Sequence, residues 1–425
     1  MIDYSNVKKI IGVGIGGEGM FYLAKFFHLL GAEVSGFNIS ENERVLALKK
    51  LGIKIEKRNP VEPFPKNTDI YIYTNALSDE IKEKLKKMNR KITPVEVGEL
   101  NEHLISDYES GEMNKTIKDA FEKSEIAPLY KLDYSKMKYI GVTGTDGKTT
   151  TATMIYHILK DQGFKPALIS TVNAKIGDEE IDTGFHVTSP APQDLYKLLI
   201  KVEEEKCTHV IIEATSHGLS MGRLAGVQFD VVVYTNITNE HLDYHGTWEN
   251  LFKAKSKLIT RHLKKEGIAV LNIDDKSYDG LSKLTSNFVC YSQENLEQER
   301  RAAWMIDLVS GSGLSYNLGL NFDNTSIRNV KVELDLIGDY NISNSLAAIS
   351  ACFLLDVDPH NSAKALSSYE TVEGRMQILQ TEPYRVIVDF AHTPNALQNA
   401  LSSVKKDTKG KLIVVFGCAG QRDKH

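Results

Sequence analysis

Short apolar runs alternate along most of the chain with stretches in which apolar residues recur at helical spacing. The runs at residues 139–142, 209–212, 229–234 and 268–272 are each long enough for a buried strand. Between them, apolar residues three and four positions apart, as over residues 154–159, predict helices. Strands that alternate with helices are typical of an α/β protein with a mostly parallel sheet and helices on both faces.

The two ends of the chain show the same alternation. At the N-terminus, we predict strands at 8–15, 33–38 and 69–74 and helices at 20–30, 41–51 and 79–88. From residue 290 to 336 the pattern changes to short β-like segments, and residues 338–355 predict a helix through Leu346, Ile349 and Phe353. Near the C-terminus, apolar runs predict strands at 385–389 and 412–416.

These patterns predict an α/β chain of several domains. We expect a Rossmann-like domain at 1–105, a charged linker with some helix at 106–137, and a central domain at 138–372. The central domain is expected to hold a P-loop-type, mostly parallel sheet with helices on both faces. Residues 373–425 are expected to begin a second Rossmann-like α/β domain that this chain leaves incomplete.

Composition narrows the functional classes. The chain has 425 residues, of which 42% are hydrophobic and 25% charged, which is ordinary for a globular protein. A net charge of −5 gives no electrostatic reason to expect nucleic acid or an anionic membrane as a partner. No apolar run approaches the about 20 residues that span a bilayer. The four cysteines form no disulfide framework, so we expect a reducing, cytoplasmic location.

A glycine-rich loop follows the predicted strand at 139–142 and opens the helix behind it. Such a loop lets backbone N–H groups approach a phosphate, while the helix N-terminus favours the anion and a lysine reaches the outer phosphates. The strict motif requires glycine where Val142 stands, although the strand–loop–helix context fits. The candidate nucleotide-binding residues are Gly144, Thr145, Asp146, Gly147, Lys148, Thr149 and Thr150.

A second glycine-rich segment, GVGIGGEGM, follows the first predicted strand. Its Gly14, Gly16 and Gly17 belong to two overlapping GxGxxG patterns, which can place a diphosphate on a helix N-terminus. Binding of NAD would require an acidic residue at the end of the next strand, where Asn38 stands instead. A nucleotide diphosphate, NAD, and tight packing without a ligand all stay open.

Polar residues that follow the central strands are candidates for metal binding. Glu213 ends one strand, and ligands collect at the carboxyl ends of strands in open α/β sheets. With Thr149 it offers the hard oxygens that Mg²⁺ prefers, although a solvated strand end is the alternative. On an extended segment, His241, Asp243 and His245 would share one face and suggest zinc, but no distant fourth ligand is evident.

Several segments, taken in order, resemble the Mur ligases, ATP-dependent amide-forming enzymes of peptidoglycan synthesis. They are GVTGTDGKTTT, VTSP, EATSHGLSMGRLAG, FDVVVYTNITNEHLDYHGT, AKSKL, IGDYNISNSLAAI, EGRMQIL, DFAHTPNAL and VFGCAGQRDK. This set covers residues 139–425 and is most similar to the UDP-N-acetylmuramoyl-tripeptide synthetases, the MurE type. The segments GVGIGGEGM and GAEVSGFN resemble the opening of the UDP-N-acetylmuramate–alanine ligases, the MurC type.

The resemblance implies that ATP phosphorylates a substrate carboxylate and that the amine of an amino acid attacks the acyl phosphate. It implies ATP and Mg²⁺ as cofactors, with Lys148 on the outer phosphates and Thr149 on the metal. Glu213, His241 and Lys255 correspond to further metal ligands, and Lys255 to a lysine that is carbamylated in much of the family. Lys148, Glu213, His241 and Lys255 are thus the expected catalytic residues. The further nucleotide contacts implied are Asn341, Asn344, Arg375 and Asp389, with His392 in the same motif.

The resemblance also implies a UDP-N-acetylmuramoyl peptide and an amino acid as substrates. Thr188, Ser189, Thr215 and Arg223 match positions that face the muramoyl peptide, while Gly14, Gly16 and Gly17 would meet the UDP-sugar. Two departures are Thr215 in place of serine and Met221 in place of glutamine. The segment that reads the amino acid in the MurE type is absent, so we expect a fragment of a longer reading frame. We expect a monomer.

Two other functions stay open at this point. One is a ligase of the same fold that acts on another acid, as in muropeptide recycling or folylpolyglutamate synthesis. The other is a non-catalytic nucleotide-binding relative.

Overall fold

The computed structural model describes residues 4–57, 68–73, 93–126, 128–182, 189–309, 314–391 and 394–417. The chain forms two compact units. The first comprises Met1–Leu132 with the segments Ala191–Tyr196 and Ser220–Gly226, and the second comprises Asp133–Pro190, Lys197–Leu219 and Val227–His425. The predicted helix at 79–88 lies outside the described residues.

The first unit contains a parallel five-stranded sheet. Its strands are β1 (Lys9–Val13), β2 (Glu33–Asn38), β3 (Lys54–Lys57), β4 (Ile70–Tyr73) and β5 (Thr93–Glu96). They lie in the order β3-β2-β1-β4-β5 and all pair in parallel. Its helices are α1 (Glu18–Leu29), α2 (Glu43–Lys50), α3 (Val97–Ser110) and α4 (Lys115–Ser124), with 3-10 turns at Tyr4–Asn6 and Pro128–Lys131. This order, with crossover helices, confirms the Rossmann-like prediction.

The core of the first unit explains why α4 belongs to it. Phe26 and Phe27 of α1 are fully buried in one apolar cluster with Leu104 of α3. Phe121 and Ile117 of α4 join the same cluster, since apolar residues three and four positions apart face one side of a helix. The predicted domain boundary after residue 105 falls inside α3, and the four-part division of the chain stays a prediction.

The second unit is built on an eleven-stranded sheet. Its strands are β6 (Lys138–Thr143), β7 (Pro166–Ile169), β8 (Asn173–Ile176), β9 (Glu179–Asp182), β10 (His209–Glu213), β11 (Phe229–Tyr234), β12 (Leu263–Asn272), β13 (Phe288–Ser292), β14 (Arg301–Leu308), β15 (Leu314–Phe322) and β16 (Thr325–Leu334). The order is β16-β15-β14-β13-β12-β11-β6-β10-β7-β8-β9. The strands from β14 to β7 are parallel, and two antiparallel strands extend each edge. The predicted mostly parallel sheet is confirmed.

Helices connect and cover these strands. They are α5 (Lys148–Asp161), α6 (Pro192–Glu204), α7 (Ser216–Ser220), α8 (Leu242–His245), α9 (Trp248–Thr260), α10 (Tyr278–Leu281), α11 (Tyr340–Phe353) and α12 (Pro359–Leu366). Met154 and Ile158 of α5 and Leu346 and Ile349 of α11 are fully buried in the main core. Among the described residues, no helix is long and apolar enough to cross a membrane.

The C-terminal part contains β17 (Gln377–Gln380), β18 (Val386–Val388) and α13 (Pro394–Asp407). The two strands pair antiparallel in a small sheet of their own. The predicted strand at 412–416 is wrong, because residues 411–417 have no regular secondary structure and Val415 is 95% exposed. The apolar run could not reveal that no described strand pairs with it.

Candidate active site

The glycine loop joins β6 to α5 at the carboxyl edge of the parallel strands. Gly147 caps α5 with φ at 82°, and a Cβ there would lie 2.3 Å from Asn344 Oδ1. Gly144 has φ at 153°, and a Cβ there would lie 1.8 Å from Thr235 Oγ1. Both positions therefore require glycine, on grounds of backbone conformation and of space.

The loop after β11 holds the glycine loop in place. The Asp146 N–H donates to Asn236 Oδ1 (2.9 Å), and Asn236 Nδ2 donates back to the Asp146 carbonyl (3.1 Å). Thr235 Oγ1 donates to the same carbonyl (2.6 Å), and the Thr145 N–H donates to the Asn236 carbonyl (2.8 Å). The loop conformation is thus fixed from outside, as a preformed anion cradle requires.

Lys148, the first residue of α5, folds back over this loop. Its ammonium donates to the Thr145 carbonyl at 2.7 Å. The charge therefore lies at the loop that the sequence assigns to phosphate.

Glu213 ends β10, which pairs directly with β6. Its side chain is 2% exposed. Three donors converge on Oε2: the hydroxyl of Thr149 (3.1 Å), the N–H of Thr171 (3.2 Å) and the hydroxyl of Thr171 (3.2 Å). A buried carboxylate with several donors keeps a fixed orientation.

A second buried carboxylate, Glu240, stands among the cations of the site. Its Oε1 lies 3.2 Å from His241 Nε2, and its Oε2 lies 4.0 Å from Lys255 Nζ. Burial opposes ionisation of Glu240, but Lys148, His241 and Lys255 together hold its carboxyl pKa well below the usual range. The site therefore contains a permanent anion that the sequence analysis did not identify.

Lys255 lies on α9 with 1% of its side chain exposed, and its Nζ donates to the Gly144 carbonyl. Burial lowers the pKa of Lys255 from 10.5 to about 7, while Glu240 opposes this shift and Lys148 adds to it. A large share of this side chain is thus a neutral amine near neutral pH. Lys253 on the same helix is exposed, as charged residues on a helix face usually are.

His241 precedes α8 in a left-handed conformation, with φ at 52°. Its ring meets that of His217 edge-on, with centroids 4.5 Å apart. Backbone strain of this kind occurs preferentially at functional sites. Because residues 242–245 are helical, the extended segment on which the zinc hypothesis depended is not formed.

The polar residues at the start of α11 face the glycine loop. Asn344 Nδ2 donates to Asn341 Oδ1 (3.0 Å), and Asn341 Nδ2 donates to the Ile337 carbonyl (3.0 Å). The Asn344 side chain also accepts from Thr151 Oγ1 at 3.4 Å. The two amides are therefore fixed in orientation beside Gly147.

The C-terminal part contributes Arg375 and Asp389 to the same region. Arg375 Nη2 donates to Thr149 Oγ1 at 3.4 Å, and its guanidinium lies 4.7 Å from the centroid of the Phe390 ring. Asp389 Oδ2 accepts from the Met376 N–H at 2.8 Å. Arg375 thus places a guanidinium in the cavity that Lys148 also lines.

These groups line one cavity of about 290 Å³. It brings together residues that the sequence places in distant motifs. The predicted residues that line it are Thr145, Asp146, Gly147, Lys148, Thr149, Thr150, Glu213, Thr215, His241, Lys255, Asn341, Asn344, Arg375 and Asp389.

Other predicted residues lie elsewhere. Thr188 and His392 fall outside the described residues. Gly144 contacts Lys255 through its carbonyl without lining the cavity. Gly14, Gly16, Gly17 and Arg223 belong to the first unit. Their roles stay predictions.

The predicted substrate residues Ser189 and Thr215 bond to each other. Their hydroxyls are 3.2 Å apart, and each accepts from the backbone N–H of the other. Thr215 Oγ1 also accepts from the Gly218 N–H (3.0 Å), which makes it a cap for α7. Ser189 Oγ donates to the Glu213 carbonyl at 3.2 Å. Through the bond from Ser189, the pair helps to fix the backbone of Glu213.

In the first unit, the glycine segment after β1 is closed by its own neighbours. The N–H groups of Gly14 and Ile15 donate to the Phe37 carbonyl (2.9 and 3.1 Å). The Gly16 N–H donates to Asn38 Oδ1 at 3.1 Å. Asn38 therefore has a structural role at the position where NAD binding would require an acid.

The donor set around Thr149 and Glu213 fits Mg²⁺. Among the described residues, no three His, Cys, Asp or Glu side chains form a metal site by themselves. Mg²⁺ does not need such a cage, since one or two protein oxygens suffice when phosphates and waters complete the shell. The buried carboxylate of Glu213 and the hydroxyl of Thr149 beside the glycine loop supply these one or two protein oxygens.

Sequence reasoning missed Thr171, Thr235, Asn236 and Glu240. Thr235 and Asn236 directly follow β11, so the strand-end rule that selected Glu213 applies to them as well. Glu240 is next to His241 in the sequence, but it is buried by tertiary packing, which the spacing of residues along the chain does not reveal.

Comparison with known families agrees with this geometry. A family model described as the Mur ligase middle domain matches residues 142–352. Models described as "Mur ligase, glutamate ligase domain" and "Mur ligase family, catalytic domain" match residues 374–425 and 9–108.

Curated relatives carry related names. A UDP-N-acetylmuramoyl-L-alanyl-D-glutamate–2,6-diaminopimelate ligase of Clostridium botulinum is 37% identical over 294 residues, which are 68% of this chain and 58% of the relative. A UDP-N-acetylmuramyl-tripeptide synthetase of Deinococcus radiodurans is 37% identical over 67% of this chain and 56% of its own length. The chain thus spans less than two thirds of these relatives.

Among solved structures, a UDP-N-acetylmuramoyl-L-alanyl-D-glutamate–2,6-diaminopimelate ligase shares the fold. Its TM-score is 0.58 at 23% identity, and the match covers 100% of this chain and 73% of that one. The matched families together cover most of the sequence, and the cavity gathers side chains from the motifs that first suggested the resemblance. This chain belongs to the Mur ligase family.

Proposed function

We propose that this chain is an ATP-dependent amide ligase that adds an amino acid to a UDP-N-acetylmuramoyl peptide in peptidoglycan synthesis. The names of the relatives support the substrate class. The observation that carries the proposal is the convergence of Lys148, Thr149, Glu213, His241 and Lys255 on one cavity.

The reaction needs two transfers that balance. The carboxylate of the acceptor attacks the γ-phosphorus of ATP, which forms an acyl phosphate and releases ADP. The amine of the amino acid then attacks the acyl carbon, and phosphate leaves as the amide forms and the amine loses its proton. Positioning and charge neutralisation supply most of the catalysis in a phosphoryl transfer.

The cations of the cavity supply that neutralisation. Lys148 and Arg375 both line the cavity and would bind phosphate oxygens after leaving their present partners, the Thr145 carbonyl and the Thr149 hydroxyl. The fixed amides of Asn341 and Asn344 would orient the base. We assign Asp389 to the nucleotide because it shares the cavity with them.

The oxygens of Thr149 and Glu213 would hold Mg²⁺, and His241 and Lys255, which line the same cavity, would supply further ligands. The metal would neutralise phosphate charge and align the carboxylate with the γ-phosphorus. The Thr149 hydroxyl can donate its proton to Glu213 while its lone pairs face the cavity.

Lys255 would serve as a carbamate. A neutral amine adds to carbon dioxide and loses a proton, and the lowered pKa of Lys255 keeps that amine available near neutral pH. The product is an anion, and its oxygens would be ligands for a divalent metal.

The first unit would bind the UDP-sugar through the segment that contains Gly14, Gly16 and Gly17. We place the protein in the cytoplasm as a monomer, with no nucleic-acid or membrane partner, in keeping with its composition.

A panel of amino acids, each combined with every UDP-muramoyl intermediate and ATP, tests the proposal by mass spectrometry of the product. One combination is expected to give an amide together with ADP and phosphate, and 2,6-diaminopimelate belongs in the panel because relatives are named for it. Lys255→Ala should abolish turnover, while Lys253→Ala, on the exposed side of the same helix, should keep it.

Two results would reject the proposal. Phosphate release that does not depend on the UDP-sugar would point to another acid as substrate. Binding of ATP without turnover in any combination, by this chain and by any longer version of its reading frame, would identify a non-catalytic relative.

A further inference from the structure

Thr171 is the strongest feature of the cavity that the proposed chemistry leaves without a role. It lies between β7 and β8, lines the cavity and is 8% exposed. Both its backbone N–H and its hydroxyl donate to Glu213 Oε2, each at 3.2 Å. Thr171 thus supplies two of the three donors on that oxygen, and Thr149 supplies the third.

The turn that carries Thr171 is fixed independently of Glu213. Ser170 Oγ accepts from the N–H groups of Val172 and Asn173, both at 3.1 Å, and donates to the Asn173 carbonyl at 2.9 Å. The Ser170 N–H donates to the same carbonyl at 2.9 Å. Because Ser170 closes this turn on itself, Thr171 presents its two donors from a rigid position.

Three donors on one carboxylate oxygen have a consequence for the other oxygen. They fix the plane of the Glu213 carboxylate and engage Oε2, so Oε1 is the oxygen with capacity for a cation. The hydroxyl of Thr149 is oriented by the same bond, because it donates its hydrogen to Oε2. Its oxygen has two lone pairs, of which Arg375 engages one and the other can bind a cation. Groups that orient metal ligands in this way contribute substantially to metal affinity.

We propose that Thr171 is a positioning residue for the divalent cation that binds with the nucleotide, acting through Glu213 and Thr149. The inference rests on the proposed function only in that a metal–nucleotide complex occupies the cavity. It requires no particular acid or amino acid.

The test measures Mn²⁺ binding to the full chain by electron paramagnetic resonance, in the presence of a non-hydrolysable ATP analogue. Thr171→Val keeps the side-chain shape and the backbone donor but removes the hydroxyl, and it should weaken Mn²⁺ affinity about tenfold. Thr171→Ser restores the hydroxyl and should bind within about twofold of the unchanged chain. Thermal unfolding of each variant is recorded alongside.

Ser350→Ala is the matched control. Ser350 is buried, and its hydroxyl donates within α11 to the Leu346 carbonyl at 2.7 Å. Its loss removes a buried hydroxyl without touching the cavity, so Mn²⁺ affinity should not change.

The outcomes separate the two proposals. Unchanged Mn²⁺ affinity in Thr171→Val, or equal losses in Thr171→Val and Thr171→Ser, overturns the positioning role, as does a chain that binds no Mn²⁺ with the nucleotide. A chain that binds Mn²⁺ as expected but forms no amide with any substrate pair contradicts the proposed function alone. With the natural cation, Thr171→Val should raise the Mg²⁺ concentration needed for half-maximal turnover more than it lowers kcat.

Discussion

At the scale of single residues, burial decides the chemistry of the cavity. Lys255 and Glu240 are both almost completely inaccessible to water, yet they respond in opposite ways. The lysine loses its proton more easily because burial dominates, whereas the glutamate stays ionised against the cost of burial because Lys148 and a hydrogen bond from His241 lower its carboxyl pKa. The pair therefore places a reactive amine beside a permanent anion.

Lys255 should make the stability of the chain depend on pH. Below pH about 7 the amine is protonated in both the folded and the unfolded chain, so its buried charge costs stability in full. Between pH about 7 and 10.5 the folded chain releases a proton that the unfolded chain keeps, so stability rises with pH. The unfolding temperature of the unchanged chain minus that of Lys255→Met should therefore increase as the pH rises from about 6 to about 9.

This comparison is made in buffer free of carbon dioxide, so that the amine is not modified. Lys253→Met, at the exposed position on α9, should show a constant difference over the same range. If the unfolding temperature of the unchanged chain minus that of Lys255→Met stays constant or decreases as the pH rises, the lowered pKa of Lys255 is contradicted.

Removal of the Glu240 charge should destabilise the fold. Glu240→Gln keeps the shape but leaves the charges of Lys148 and Lys255 less compensated, and breaking a buried ion pair costs about 3 kcal/mol. Denaturant unfolding at neutral pH measures the loss. Glu266→Gln, at an exposed position, is the control and should change little, and equal stability of the two variants would argue against an ionised Glu240.

The sequence could single out Lys148, Glu213 and His241 from motifs, and all three line one cavity, while their roles stay predictions. It could not identify Glu240 or Thr171, because their importance arises from contacts across the fold. Thr171 follows β7 and Glu213 ends β10, so the two residues meet only because these strands pair in the folded sheet. Spacing along the chain does not encode such a contact.

At the scale of elements, the glycine loop is the part with the least freedom to change. Gly147 and Gly163 both have φ near 80° and flank α5, but a Cβ meets Asn344 at Gly147 and nothing within 4 Å at Gly163. Alanine at either position should cost about 1–2 kcal/mol for the left-handed conformation. Only Gly147→Ala should add a steric penalty and weaken nucleotide binding.

Thermal unfolding and binding of a fluorescent ATP analogue distinguish the two alanine variants. Equal effects on both measurements would show that the contact with Asn344 does not constrain the loop.

Element prediction worked where a strand is buried on both faces. The predicted strand at 229–234 has the same bounds in the structure, because a run of β-branched and aromatic residues that is buried along nearly its whole length leaves little choice. The strand at 33–38 also has its predicted bounds, although only Val34 and Phe37 follow that pattern and Glu33 is exposed. The strand predicted at 412–416 has a similar apolar run, but no strand in the described parts of the chain pairs with it. Apolar content thus predicts a tendency, whereas pairing depends on the rest of the fold.

At the scale of the whole molecule, the limits of the first unit differ from those that composition suggests. A piece that ends at residue 105 cuts α3 and lacks the α4 side chains Ile117, Ala120 and Phe121, which are buried in the core of the unit. Each buried side chain of this size contributes about 1.5–3 kcal/mol, apart from the smaller alanine.

Residues 1–105 should therefore show no cooperative unfolding, while residues 1–132 should unfold cooperatively. Circular dichroism during heating measures the unfolding of each piece. Neither piece contains the segments Ala191–Tyr196 and Ser220–Gly226 of this unit, so the longer piece controls for their absence. A cooperative transition of equal midpoint in both pieces would show that α4 is dispensable for this unit.

The most direct test of the central claim, that one cavity activates a carboxylate with ATP, follows an oxygen atom. The acceptor is prepared with oxygen-18 in the carboxylate that receives the amino acid. The phosphate released during turnover is then analysed by mass spectrometry. An acyl phosphate predicts that each phosphate carries one labelled oxygen from the carboxylate, because the C–O bond breaks when the amine attacks. Unlabelled phosphate, formed while ATP is consumed, would contradict the account.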